Sequence, residues 1–256
     1  MRKNFSDDIS HISKWISACV KDAGADGIVI GLSGGIDSAV VAALCKKALG
    51  ASKILAVAMP CYSIPGDARD ALRIAKHLKI ECPSVNLDSP FTTLLSSLSI
   101  TFHDRLKQIP ISNVKSRLRM TALYAIANQR NYLVVGTSNK SEMSIGYFTK
   151  YGDGGCDIEP IAEYYKTEVK KLAKALKLPS WILKRVPSAG LWKGQTDEGQ
   201  IGLSYSTLDQ ILAAEDLEKA YKYKRIFAMI EKSEHKRHMP PSCPRNDPPF
   251  FSYFKG

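Results

Sequence analysis

A glycine-rich stretch near the N-terminus carries the clearest chemical pattern in this sequence. Residues 26–38 read Asp-Gly-Ile-Val-Ile-Gly-Leu-Ser-Gly-Gly-Ile-Asp-Ser, and an apolar run follows at once. This order predicts a β-strand, a tight turn and then the N-terminus of a helix. Such a turn favours anion binding, because the first helical turn has free N–H groups and glycine lets a phosphate approach the backbone.

Three side chains add to the chemistry of this loop. The hydroxyls of Ser33 and Ser38 are further hydrogen-bond donors. Asp37 would repel a phosphate unless a divalent cation lay between them, which makes it a candidate Mg²⁺ ligand. The alternative is that Asp37 only complements the positive end of the helix dipole.

The loop residues allow more than one interpretation. A Walker A loop is excluded, because no lysine follows Gly35, and the dinucleotide pattern of three spaced glycines is absent. However, residues 31–35 fit the G-x-S-x-G pattern of a nucleophile elbow, with Ser33 as the nucleophile and an acid and a histidine expected downstream. A nucleotide loop, a nucleophile elbow and a purely structural turn therefore all remain open at this point.

The elements around the loop predict an α/β protein. Apolar strands are expected at 26–30, 53–59, 82–87 and 132–137, with helices at 6–23, 36–49 and 67–79 and a long helical region at 90–130 that is broken at Pro110. This alternation predicts a doubly wound parallel sheet with helices on both faces. Ligands bind at the carboxyl ends of such strands, so the glycine loop and residues 136–137 should face one site.

The second half of the chain is more polar and richer in glycine. Residues 138–160 are expected to form a polar loop where the sheet opens, followed by a helix at 166–177. Residues 184–204 suit a mobile lid, and residues 239–256 suit an irregular tail. We expect residues 1–256 to form a single domain.

Composition limits the functional classes. The chain has 256 residues and a formal net charge of +11, which favours anionic partners, but no nucleic-acid-binding motif is present. No run is long and apolar enough for a membrane span, and acidic residues interrupt the N-terminus where a signal peptide would be apolar. A cytoplasmic location is therefore expected. The six cysteines form no C-x-x-C pair, so free thiols are expected.

Several motifs together give a resemblance to a known family. Residues 33–38 are similar to the pyrophosphate-binding loop of the ATP pyrophosphatase superfamily, whose fold is adenine nucleotide alpha hydrolase-like. Further motifs make the sequence resemble NAD synthetases of the short, ammonia-dependent type, from the first helix to His235-Lys236-Arg237. These motifs are Asn113-Val114-Lys115-Ser116-Arg117, Gly136-Thr137 with Glu142, Phe148-Thr149-Lys150-Tyr151-Gly152-Asp153-Gly154-Gly155, and Pro187-Ser188-Ala189 with Asp197-Glu198.

The resemblance implies a reaction. Deamido-NAD, ATP and ammonia would give NAD, AMP and diphosphate through an adenylated nicotinate carboxylate. Two anionic reactants must be held together, so positioning and charge neutralisation should supply most of the rate. Free ammonia, or ammonia from a separate partner, is the expected nitrogen source, and a homodimer is implied.

The resemblance also implies roles for particular residues. The ATP-binding residues would be Gly31, Leu32, Ser33, Gly34, Gly35, Ile36, Asp37, Ser38, Thr137, Lys166 and Ser188. The deamido-NAD-binding residues would be Arg117, Lys150, Asp157, His235 and Lys236. Asp37 and Glu142 would bind Mg²⁺, whereas Asp153 and Lys166 would be catalytic, with Asp153 attracting ammonium and accepting its proton.

Other functions stay open beside this one. Taken alone, Lys166 is expected to be an exposed lysine in the first turn of a helix, and Glu142 a solvated loop residue. A tRNA-adenylating enzyme would use the same loop with an added RNA-binding domain. An esterase would need His235 or His238 as its base, and a nucleotide-binding protein without activity would not need Asp37 or Glu142.

Overall fold

A parallel β-sheet lies at the centre of the protein. The computed structural model describes residues 5–63, 65–102, 107–188, 194–213 and 223–243. Its strands are β1 (Gly27–Gly31), β2 (Ile54–Val57) and β3 (Tyr132–Val135), in the order β2-β1-β3. Ile30 is paired with Ala56 on one side and with Val135 on the other. β1 ends at Gly31 beside Val57, the last residue of β2, and one residue beyond the end of β3, which places the glycine loop at the centre of the carboxyl edge.

Helices cover both faces of this sheet, as predicted. One face packs against α1 (Phe5–Asp22), α2 (Ile36–Leu49), α3 (Pro65–Leu78) and α7 (Lys166–Ala175). The other face packs against α4 (Asp88–Phe102) and α5 (Gln108–Arg130). Ile28 and Ile30 point to the first face and Val29 to the second, and all three have no exposed surface. Strands that are apolar throughout are thus explained by burial on both sides.

A smaller helical layer lies beyond β3. It consists of α6 (Lys140–Ile145), α9 (Asp197–Ile201), α10 (Tyr205–Ala213) and α11 (Lys224–Lys232). These helices share an apolar cluster that includes Ile145, Ile201, Tyr205 and Ile226. The short helix α8 (Ser180–Lys184) follows α7 and packs against it.

Three local expectations need correction. Residues 82–87 do not form a regular strand: Glu81 and Ser84 make isolated parallel bridges to the β2 side of the sheet, and backbone hydrogen bonds join residues 81–87 to residues 56–60. The long helical region is not broken at Pro110, which lies in the first turn of α5, where a missing N–H group costs little. The loop at 138–160 contains α6, which begins with a capping box made by Asn139 and Glu142.

The predicted lid and tail lie partly outside the described residues. Residues 184–204 include the end of α8 and all of α9, whereas 189–193 are not described. Of the tail, 239–243 have no regular structure and 244–256 are not described. Among the described residues, no helix is long and apolar enough to cross a bilayer.

Candidate active site

A cavity of about 470 Å³ opens at the carboxyl edge of the sheet. The glycine loop after β1, the segment after β2 and the segment after β3 all contribute to its wall. The predicted site residues that line it are Gly31, Leu32, Ser33, Gly35, Ile36, Asp37, Ser38, Thr137, Glu142, Asp153, Lys166, Ser188 and Lys236. The structure thus brings together the residues assigned to ATP, the metal and catalysis.

The glycine loop has a well-defined turn. Gly34 has φ +83°, a conformation that favours glycine, and Gly35 is the N-cap of α2. The Ser38 hydroxyl accepts a hydrogen bond from the Ser33 N–H group at 3.3 Å and lies 3.1 Å from the Ser33 hydroxyl. No described side chain caps α2. The N–H groups of its first turn are therefore presented to the cavity, where an anion would be bound.

A buried lysine joins the two predicted metal ligands. Lys166, the first residue of α7, is only 2 % exposed. Its Nζ lies 2.5 Å from Oδ2 of Asp37 and 3.1 Å from Oε1 of Glu142. The interpretation of Lys166 as an exposed helical lysine is wrong, and so is that of Glu142 as a solvated loop residue, since its side chain is 15 % exposed.

The charges of this cluster shift the pKa of its members. Burial acts to lower the pKa of Lys166, but the carboxylates of Asp37 and Glu142 outweigh it and hold that pKa above its ordinary value. Burial raises the pKa of the Glu142 carboxyl group, although the Lys166 ammonium opposes this shift. The lysine is therefore charged throughout the neutral range and fixes both carboxylates around one point.

A second set of side chains holds this cluster in place. The Asn139 side chain donates to Oδ1 of Asp37 at 3.0 Å, and the Tyr205 hydroxyl lies 3.1 Å from Oε1 of Glu142 and 3.2 Å from Oδ2 of Asp197. The Tyr147 hydroxyl donates to Oδ1 of Asp197 at 3.1 Å. Sequence reasoning missed Asn139, Tyr147 and Tyr205, and it named Asp197 only within a family motif, without a role. Only Asn139 had a local signal, the capping-box spacing to Glu142.

Asp153 lines another part of the cavity. The Thr149 N–H group donates to its Oδ1 at 3.0 Å. Asp153 as a whole is exposed, but desolvation of its carboxyl group by the surrounding loop raises the pKa of that group above the ordinary value. Arg119 and Lys236 also line the cavity, and both are partners of Asp153 through charge. This part of the cavity combines an acid with cations.

Five predicted residues lie outside the cavity wall: Gly34, Arg117, Lys150, Asp157 and His235. Gly34 lies in the glycine turn between β1 and α2 but does not line the cavity. The Arg117 side chain donates to the Lys150 carbonyl oxygen at 3.3 Å, and the Lys150 Nζ donates to the His235 carbonyl oxygen at 2.5 Å, so these three residues adjoin one another. The Asp157 carboxylate accepts from the Val134 N–H group at 2.7 Å and from the Tyr124 hydroxyl at 2.9 Å, which ties it to β3 and α5.

The donor set fits a metal that binds together with a nucleotide. Asp37 and Glu142 supply oxygen ligands, and both point to one cation, the Lys166 ammonium group. Within the described residues, no group of three or more His, Cys, Asp and Glu side chains is arranged to hold a metal. Mg²⁺ commonly binds through one or two carboxylates together with substrate phosphates. Two convergent carboxylates beside an anion-binding loop meet this requirement.

The nucleophile-elbow interpretation finds no support in the site. An elbow requires a histidine within reach of Ser33. The described part of the cavity wall contains no histidine, and the hydroxyl of Ser33 is directed to Ser38 and the Gly35 N–H group. Ser33 thus stabilises the turn by hydrogen bonds within it.

Together, the parallel sheet, the glycine loop and the charged cluster at its carboxyl edge define a nucleotide-binding α/β enzyme. The family model described as NAD synthase matches residues 8–240. The chain therefore belongs to the NAD synthase family, as its sequence motifs indicated. This relationship also confirms the expected α/β fold and the expected ligase class.

Individual relatives agree with this assignment. The chain is 45 % identical to an NH(3)-dependent NAD(+) synthetase of Carboxydothermus hydrogenoformans, over 94 % of this chain and 98 % of the relative. A solved structure of an NMN synthetase from Francisella tularensis is 36 % identical, with a TM-score of 0.84 and coverage of 94 % of this chain and 99 % of that one. An NH3-dependent NAD synthetase from Campylobacter jejuni is 32 % identical, with a TM-score of 0.78 and coverage of 94 % and 100 %.

Proposed function

We propose that this protein is an ammonia-dependent NAD synthetase. It would convert deamido-NAD, ATP and ammonia to NAD, AMP and diphosphate, in two steps. The nicotinate carboxylate first attacks the α-phosphorus of ATP and displaces diphosphate, and ammonia then attacks the resulting acyl group and displaces AMP. The observation that carries this proposal is the buried Asp37-Lys166-Glu142 cluster beside the glycine loop, within a chain of the NAD synthase family.

The adenylation step depends on charge at the glycine loop. The N–H groups of the loop and the hydroxyls of Ser33, Ser38, Thr137 and Ser188 would bind ATP, and Lys166 would neutralise its phosphates. Asp37 and Glu142 would hold Mg²⁺, which when bound supplies positive charge next to the departing diphosphate. A buried lysine suits this role, because its charge is fixed before the substrate arrives and is little screened by water.

The amidation step depends on a proton acceptor for ammonium. Asp153 would attract ammonium and accept its proton, which frees the nitrogen lone pair for attack. Desolvation raises the pKa of Asp153 and makes its carboxylate a stronger base than an ordinary aspartate. Lys236, which also lines the cavity, would contact deamido-NAD, with Arg117, Lys150, Asp157 and His235 as further contacts at the surface.

One assay separates this function from the others. Purified protein is incubated with deamido-NAD, ATP, Mg²⁺ and ammonium, and the release of AMP, diphosphate and NAD is measured. We expect the three products in equal amounts, and none if ammonium chloride is replaced by glutamine. Absence of AMP and diphosphate would reject the ligase, and ester hydrolysis in its place would restore the elbow interpretation.

Two variants test the division of roles. Asp37→Asn should abolish ATP–diphosphate exchange, whereas Asp153→Asn should leave exchange within about threefold and lower NAD formation at least 100-fold. Asp22→Asn, an exposed carboxylate at the end of α1, is the matched control and should change neither rate. Equal loss of both steps in Asp153→Asn would contradict the assignment of Asp153 to ammonia.

A mononucleotide substrate is the second candidate. The Francisella tularensis structure is described as an NMN synthetase, and it covers 94 % of this chain. Residues 117, 150 and 235 adjoin one another outside the cavity wall, where the second nucleotide of a dinucleotide would have room. We therefore expect a higher kcat/KM for deamido-NAD than for nicotinate mononucleotide. The reverse order would assign the protein to mononucleotide amidation.

The apolar surface of α4 and α5 supports the proposed homodimer. Ile100, Phe102 and Ile109 are 73 %, 66 % and 66 % exposed, which is unusual for three large apolar side chains so close in the sequence. We expect a dimer by light scattering, and a monomer for Ile100→Glu. Cys19, Cys45, Cys61, Cys82 and Cys156 are free thiols, which supports the proposed cytoplasmic location, a reducing compartment.

A further inference from the structure

A network of alternating charges joins the glycine turn to α3 and α8. Arg185, the C-cap of α8, donates from Nη1 to the Gly34 carbonyl oxygen at 3.2 Å and to Oδ2 of Asp70 at 2.8 Å. Its Nη2 donates to the Asp67 carboxylate. The Arg185 side chain is 24 % exposed, and the two carboxylates are 16 % and 19 % exposed. The guanidinium group thus bridges three acceptors in a partly buried position.

A second arginine, Arg73, pairs with Asp70 at the end of the network that lies away from the glycine turn. Arg73 of α3 lies 3.1 Å from Oδ1 of Asp70, and its guanidinium carbon lies 4.1 Å above the ring of Trp181 in α8. Two guanidinium groups and two carboxylates balance in charge. The network therefore fixes geometry without adding net charge next to the phosphate site.

The glycine turn is the point at which this network meets the phosphate site. A Cβ atom at Gly34 would lie 2.8 Å from the Asp67 carbonyl oxygen and 3.0 Å from Nη1 of Arg185, so both press closely on the turn. Two residues after Arg185, the Pro187 carbonyl oxygen accepts from the Asp197 N–H group at 3.1 Å. Arg185 thus stands between the glycine turn and the segment that leads to the Asp197 carboxylate.

We propose that Arg185 is a positioning residue for the phosphate site. By holding the Gly34 carbonyl oxygen outward, it keeps the N–H groups that follow directed into the cavity. Asp67 and Asp70 fix the guanidinium group in turn. Lysine cannot replace arginine in this role, because a single ammonium group does not reproduce the planar fork that meets three acceptors. The inference rests on the proposed function in one respect, namely that ATP phosphates bind at the glycine loop.

Hydrogen exchange of the ligand-free protein tests the structural part of this proposal. The variants are Arg185→Lys and Arg185→Gln, and the control is Arg73→Gln, which breaks the outer end of the same network without contacting the loop. The amides of Ser33 and Gly35, hydrogen-bonded within the loop, should exchange at least tenfold faster in both Arg185 variants. They should stay within twofold of wild type in Arg73→Gln. Unchanged exchange at these amides in the Arg185 variants would overturn the proposal.

Kinetics test the functional part. The KM for ATP in ATP–diphosphate exchange should rise at least tenfold in both Arg185 variants. Their KM for deamido-NAD and their melting temperature should stay close to the values of Arg73→Gln. A normal KM for ATP in Arg185→Lys would show that charge alone matters and overturn the positioning role. An equal rise in both KM values with a lower melting temperature would show a general structural role and overturn it as well. If wild type catalyses no exchange, the proposed function fails, and hydrogen exchange still decides the role of Arg185.

Discussion

The buried ammonium group of Lys166 gives the strongest test of the charged cluster at the site. Lys166→Met keeps an unbranched side chain of similar length but removes the cation that lies 2.5 Å from Asp37 and 3.1 Å from Glu142. Two buried carboxylates would then face each other with no counter-charge. Removing one partner of a buried ion pair costs about 3–5 kcal/mol, because the charge left behind is not solvated. We expect the upper part of this range, since Lys166 bridges two carboxylates and is 2 % exposed.

Thermal unfolding measures this cost. For a domain of this size, about 3–5 kcal/mol lowers the melting temperature by about 6–20 °C. The chain offers a matched control in Lys140→Met, because Nζ of Lys140 lies 3.1 Å from Glu163 in a surface pair whose side chains are 38 % and 84 % exposed. Exposed pairs are worth less than about 1 kcal/mol, so the control should melt within about 4 °C of wild type.

The melting temperature of Lys166→Met in the presence of Mg²⁺ gives a second test. If Asp37 and Glu142 form a cation site, millimolar Mg²⁺ should restore part of the stability lost in Lys166→Met, and it should have little effect on Lys140→Met. The variant should also lose ATP–diphosphate exchange. A melting temperature for Lys166→Met equal to that of the control would show that the lysine is not a buried counter-ion, and the reasoning about the site would be refuted.

Two further predictions concern Glu159, whose carboxylate accepts from the Ser138 N–H group at 3.1 Å beneath Gly136. Burial raises its pKa from 4.5 to about 7, so its contribution to stability is present below about pH 4.5 and is lost as the pH rises through 7. By urea unfolding, Glu159→Gln should therefore be about 3 kcal/mol more stable than wild type at pH 8 but not at pH 4.5, and a difference independent of pH would contradict this. In the same assay, Gly136→Ala should lower the free energy of unfolding by about 1–3 kcal/mol, because the new Cβ would overlap the Glu159 carboxyl group. The control Gly66→Ala should lower it by less than about 1 kcal/mol, because the atom nearest to the new Cβ is 3.8 Å away. Equal losses in the two variants would contradict the crowding at Gly136.

Much of the fold could be predicted because its signals are local. The apolar strand, the turn glycines and the helix formers of residues 26–49 specify β1 and α2 without reference to the rest of the chain. Gly50, with φ +80°, ends α2 where the sequence indicated. Residues 82–87 do make backbone hydrogen bonds along the β2 side of the sheet, but Pro83 has no N–H group to donate, so the ladder is interrupted and no regular strand forms.

The candidate site was predicted only in part. As with the fold, residues with a local sequence signal were found, and residues that depend on distant partners were not. Residues within one motif, such as 31–38, were found together because the backbone keeps them together. Lys166 could be assigned only through the family resemblance, since an isolated lysine in a first helical turn carries no sign of burial. Tyr205 was missed because its partners lie in other elements: it meets Glu142, which is 63 residues away in the sequence.

The sequence by itself determined the parallel α/β architecture, the position of the glycine loop at a strand end and the family. The tertiary structure decided which charges meet. It brought Lys166 to Asp37 across 129 residues and to Glu142 across 24, and it placed Arg185 against Gly34 across 151. The physical reason is that backbone propensity and the hydrophobic period act over a few residues. The energetic contribution of a charged side chain depends instead on its burial and its partners, and only the packed chain determines these.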